Sequence, residues 1–148
     1  MDQITWHDTY ALGFEPLDDD HRGLFDILNK IIVALQSDDW ETCRQLAKNF
    51  VLALRRHYPR EEQFLNKIGY SKVEQHAVHH RQMLARAEKF VAQFDKAPDR
   101  DLLERSLQDI ISSLLDDVRG GDLNFRTDLL EKGLDKALAE RSLQSIWL

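Results

Sequence analysis

The sequence predicts an all-α protein, an up-down-up-down four-helix bundle, and three observations carry that prediction. Apolar residues recur at the three- and four-residue spacing of a helix face rather than in the alternation of a strand. Only three prolines and six glycines occur, leaving long uninterrupted stretches between them. Acidic and small polar residues that suit helix starts stand ahead of these stretches. At 148 residues the chain is long enough for one core, burying about two-thirds of the surface its unfolded form exposes.

After an irregular arm, Met1 to about Pro16, the first helix is expected to begin among Asp18, Asp19 and Asp20, where acidic side chains suit the helix dipole. Its apolar stripe is Leu24, Phe25, Leu28, Ile31, Ile32 and Leu35. Asp38 followed by Glu41 is a capping-box-like start for a second helix, which runs through Leu46, Phe50, Leu54 and Phe64 to a stop at Gly69. Ser71 with Glu74 is the capping box expected to open the third, with Val73, Ala77, Met83, Ala87, Phe90 and Phe94 on one face. Past Pro98 the fourth starts near Asp99 and carries Leu103, Leu107, Ile110, Leu114 and Val118. Short turns between amphipathic helices imply antiparallel neighbours.

Lys plus Arg number 20 and Asp plus Glu 26, and the resulting net charge of −6 argues against a nucleic-acid or anionic-membrane surface. Cys43 is the sole cysteine, which rules out an internal disulfide. The opening MDQITWHDTYALG has neither a basic leader nor an apolar h-region, so the expected location is a reducing cytoplasm. No apolar run approaches the ~20 residues of a membrane-spanning helix. There is no Gly-rich phosphate loop and no His-Glu-x-x-His, and Cys43 is expected to pack as a small apolar residue. A monomer or weak homo-oligomer is expected.

The informative residues are polar ones on apolar faces. His21 precedes Leu24 and Phe25 by three and four; His57 follows Leu54 by three, and Glu61 follows His57 by four. His76 and His80, one turn apart, continue the line from Val73 to Met83 and Ala87. His79 has Lys72, Gln75, Gln82 and Arg86 as its helical neighbours and is expected to face water. A buried unpartnered polar group costs on the order of 1–3 kcal/mol, and a bare carboxylate more. Four His and a Glu in one small domain must therefore satisfy one another or share a cation. Imidazole with carboxylate suits iron, manganese or zinc, and the absence of a nearby thiolate excludes a Cys-rich structural zinc site. Asp117 follows Ile110 by seven and Leu114 by three, so it points inward, whereas Asp116 lies on the polar face. Asp122 stands just past Gly120 and Gly121, where a loosened backbone can turn it toward the same cavity. Seven such side chains exceed the six positions of one octahedral ion, which implies two metals.

These motifs resemble those of the hemerythrins, specifically the single-domain bacterial kind. WHDTYALG is similar to the family's Trp, Tyr and Gly entry, DDDH to its Asp-x-x-His, HYPREE to its His-Phe-x-x-Glu-Glu and HAVHH to its His-x-x-x-His, over residues from about Trp6 to Asp122. The resemblance implies a hemerythrin-like bundle with two non-heme iron ions, bridged by carboxylates and by an oxo or hydroxo group, one of which offers an open position to dioxygen. It implies that His21 and His57 ligate one iron, His76 and His80 the other, and that Glu61 and Asp122 bridge both. The chain departs from the family at the fourth helix, where Asp117 stands in place of the last His ligand. Carboxylate for imidazole adds negative charge, which favours ferric iron and weakens reversible dioxygen binding. His7, in the arm, reads as exposed rather than as a replacement ligand.

The expected function is thus binding of O2 or a related small ligand, NO or peroxide, for storage, delivery or sensing, rather than catalysis. Two alternatives are a di-iron oxidase or peroxidase-like enzyme, suggested by the extra carboxylate, and a degenerate metal-binding interaction module working through the chain's last part. Residues 1–125 are expected to form the bundle and 126–148 a C-terminal helical extension, within which Gly133 costs roughly 1 kcal/mol against Ala.

Overall fold

A computed structural model describes residues 1–121, together with Thr127 and Gln144. Asp122 and, apart from those two residues, the expected extension 126–148 lie outside the described residues. Four helices run in order, α1 (Glu15–Gln36), α2 (Trp40–Lys67), α3 (Val73–Ala92) and α4 (Arg100–Asp116), and among the described residues no strand forms. Each helix packs on the next, and α4 closes against α1. The expected all-α four-helix bundle is observed.

The helix starts refine the sequence expectations. α1 begins at Glu15, ahead of the aspartate run, with Pro16 in its first turn, where no helical N–H is lost. Asp18 is buried and accepts hydrogen bonds from the backbone N–H of Leu12 at 2.8 Å and of Gly13 at 3.2 Å, so it clamps the arm onto the helix. Gly13 permits that clamp with φ +86. Farther out, Asn29 pairs with both backbone groups of Ile4 at 2.7 and 2.8 Å.

The cap of α2 is Asp39, which accepts from the Thr42 N–H at 3.2 Å, instead of the expected Asp38. Asp38 adopts φ +54 and turns its carboxylate to Arg100, which leaves the cap to its neighbour. α2 ends where expected, with Gly69 at φ +76. The expected Ser71–Glu74 capping box does not form: α3 is capped by Lys72 with no side-chain hydrogen bond, one residue too late for Ser71 to reach its first turn. Asp99 caps α4 as expected, accepting from Leu102 N–H at 3.2 Å. The glycine pair does not break the chain out of helix. From Asp117 to Gly121 the backbone widens into a π-helical turn that continues α4.

Among the described residues, two apolar clusters fill the bundle. The larger holds Leu24, Leu28, Phe50, Leu54, Met83 and Leu114, among others, and Cys43 is buried with it. The smaller holds Leu12, Phe14, Leu17, Phe64, Leu65 and Tyr70. Along α1, His21 falls between Leu17 of the small cluster and Leu24 of the large one; along α2, His57 and Glu61 fall between Leu54 and Phe64. α3 repeats the order, with His76 and His80 between Val73 and Met83. The polar residues thus form a layer between two dry ones, where water is excluded and electrostatic interactions are strengthened.

Candidate metal centre

Glu61 is at the middle of the layer and is fully buried. Its carboxylate faces a pair of imidazoles with each oxygen. Oε2 lies 3.2 Å from His21 Nε2 and 2.8 Å from His57 Nε2. Oε1 lies 3.1 Å from His80 Nε2 and in contact with His76 Nε2. The four rings are all buried and come from three helices, with the members of each pair set edge to face. Two donor groups result, His21–His57–Glu61 and Glu61–His76–His80, each with its ligand atoms within 4.8 Å of one another.

Carboxylates outside the cluster hold the opposite ring nitrogens. Asp20 Oδ2 lies 2.7 Å from His57 Nδ1, and Glu62 Oε2 lies 3.0 Å from His80 Nδ1. Each orients its ring and favours a proton on Nδ1, so Nε2 meets Glu61 either as an N–H or, once deprotonated, with a lone pair open to a cation. A deprotonated Nε2 facing the carboxylate would be repelled unless a proton or a metal cation sat between them. Tyr58 stacks on His80 with centroids 3.8 Å apart, fixing that ring's plane.

The protonation equilibria carry the same demand for positive charge. Burial by itself would strip His57 of its proton, but the Glu61 charge and the hydrogen bonds to Asp20 and Glu61 win, and its pKa rises from 6.5 to about 10. Burial likewise works against ionised Glu61, yet the charge on His57 and the hydrogen bonds from His21, His57 and His76 hold its carboxyl well below the usual range. A metal ion on each side of Glu61 would meet this demand without the proton, so nitrogen and oxygen donors of this number and burial fit a pair of first-row ions. Cys43 contributes nothing here; burial, then the Asp39 charge, push its pKa up to about 11, so it remains a packed thiol.

The structure brings together His21, His57, Glu61, His76 and His80, five of the seven expected residues. Asp117 is buried, as its spacing predicts, and lies outside the two donor groups, with its Oδ1 in contact with His79 Nε2. His79 does not simply face water: its side chain is 37 % exposed and meets Asp117 in the turn that follows α4. Its wheel neighbours on α3 could not reveal a partner supplied by the π-helical turn. His76, His79 and Asp117 together line a cavity of about 260 Å³ with Tyr70, Lys72 and Gln75. Asp122 falls outside the described residues. His7 is exposed, as expected, and rests against Tyr10. The roles of Glu62 and Asp20 went unread in the sequence, although both are acids placed directly beside a candidate ligand.

A four-helix bundle that buries a carboxylate between two histidine pairs is a cation-binding bundle in its architecture. The chain belongs to the hemerythrin family: residues 12–124 match the family described as the Hemerythrin HHE cation binding domain. It is also similar to a bacteriohemerythrin of Clostridium acetobutylicum, 28% identical over 106 residues that cover 68% of this chain and 82% of that protein. Among the described residues, no helix is long and apolar enough to cross a membrane.

Proposed function

We propose that this protein holds two iron ions in the layer around Glu61 and binds O2 or a related small ligand there for storage, delivery or sensing. The observation that carries the reading is the division of the Glu61 carboxylate, one oxygen toward His21 and His57 and the other toward His76 and His80. Iron in such a site supplies a one-electron redox couple and a vacant position for a diatomic ligand. His21 and His57 would hold one ion, His76 and His80 the other, and Glu61 with Asp122 would bridge them. Asp117 would complete the ion at His76 and His80. The ion at His21 and His57 would then have fewer protein donors, which would leave room there for the small ligand.

The residues around the site have distinct tasks. Asp20 and Glu62 orient the rings of His57 and His80 through their Nδ1 atoms. Leu24, Leu54 and Met83 on one side and Leu17 and Phe64 on the other exclude water. Loading the metal-free protein with ferrous iron under anaerobic conditions is expected to give two ions per chain and a visible absorption band on admission of air. A protein that stays colourless and metal-free contradicts the reading.

One observation favours a second reading, an oxidase or peroxidase-like activity: the buried carboxylate of Asp117 where the family has imidazole. Peroxide turnover by the protein and by Asp117→His separates the two. Equal rates would remove the ground for the enzymatic reading.

A further inference from the structure

We propose that His79 is a positioning residue that aims the Asp117 carboxylate at the ion of His76 and His80; the inference rests on the two-metal reading above. His79 stands three residues after His76 and directly before His80 on α3, so it is rotated off the inward line of those two. It nevertheless contacts a side chain of another element, and a much less accessible one: the Asp117 side chain is 9 % exposed against 37 % for His79. His76, His79 and Asp117 open onto one cavity.

Asp117 begins the π-helical turn, where the hydrogen-bond ladder of α4 changes register. Its own backbone stays helical, at φ −60 and ψ −53, and Gly120 and Gly121 follow within the same turn. A contact from α3 adds to the constraint of its own turn: one carboxylate oxygen is held against His79, on the cavity that His76 also lines. Asp20 on His57 and Glu62 on His80 follow the same logic with the roles reversed, a carboxylate orienting an imidazole. Loss of such an outer partner costs 10–100-fold in metal affinity in typical sites, about the effect expected here.

Cobalt(II) titration of the full chain, followed by absorbance, tests this with His79→Leu, His79→Gln and Asp117→Asn beside the wild type. The wild type is expected to bind two ions. His79→Leu should weaken one of them by about 10–100-fold and leave the other unchanged. His79→Gln, whose amide N–H can still meet the carboxylate, should recover most of that loss. Wild-type binding by His79→Leu overturns the proposal, as do equal losses in the Leu and Gln variants, or a loss shared by both ions with a lowered melting temperature of the metal-free protein. Asp117→Asn separates the levels of failure. If it weakens one ion while His79→Leu does not, the role of His79 alone falls. If it leaves both ions at wild-type affinity, Asp117 is no ligand and the proposal falls with it. A wild type that binds a single ion overturns the two-metal reading as well.

Discussion

At the scale of single residues, Glu61 has no equal in the layer, because both histidine pairs depend on it. Glu61→Gln keeps the volume but replaces one carboxylate oxygen with an N–H donor, which cannot ligate. It is expected to abolish binding at one ion and weaken the other, where Asp20→Asn and Glu62→Gln should each lower affinity about 10–100-fold at their own side only. Metal titration of the three variants checks the asymmetry. The inward direction of His21, His57, Glu61, His76, His80 and Asp117 was legible because helical period alone decides which face a residue takes. The outer partners, Asp20 of His57, Glu62 of His80 and His79 of Asp117, were not. They depend on how neighbouring helices sit against one another, and no spacing within one helix encodes that.

At the scale of elements, α2 and the end of α4 carry most of the consequence. α2 contributes both His57 and Glu61 across Pro59, which has no N–H to give the Arg55 carbonyl. Past its end stands Gly69, whose φ of +76 is one that L side chains rarely adopt, although a Cβ there would meet nothing within 4 Å. Gly69→Ala should therefore cost about 1 kcal/mol in urea denaturation, through conformation and not through a clash, with metal stoichiometry unchanged. In α4 the Asp117→His variant restores the family's imidazole and removes a negative charge. It is expected to favour ferrous iron, seen as slower oxidation in air than in the wild type. Helix existence and order were readable in the sequence because the apolar stripes are long. Two caps were misread because adjacent polar residues compete for the same role, Asp38 against Asp39 and Ser71 against Lys72, and the backbone angles of the turn decide between them. The π-helical turn was also hidden, since glycines after a helix announce a loosened backbone without saying which form it takes.

At the scale of the whole molecule, the polar layer couples stability to metal and to pH. The raised pKa of His57 means that its contribution to the metal-free fold is complete below about 6.5 and is lost as pH climbs toward about 10. The lowered pKa of Glu61 means that its contribution is complete above 4.5 and is lost as pH falls through the depressed value. The metal-free protein should thus be most resistant to urea between about pH 5 and 6.5. Metal uptake must displace the His57 proton, so stabilisation by metal should grow with pH over the range where the metal-free fold weakens. At a free-metal level 100 times the dissociation constant, each ion adds about 2.7 kcal/mol, which melting curves with and without metal will register.

On the proposed reading, Glu61 joins two ions, each held by its own pair of histidines. Iron content per chain, measured after anaerobic loading on the wild type, His21→Ala and His76→Ala, tests it most directly. Two ions are expected in the wild type, with loss confined to one in each variant. A single ion in the wild type, or complete loss of metal from both variants, would contradict it.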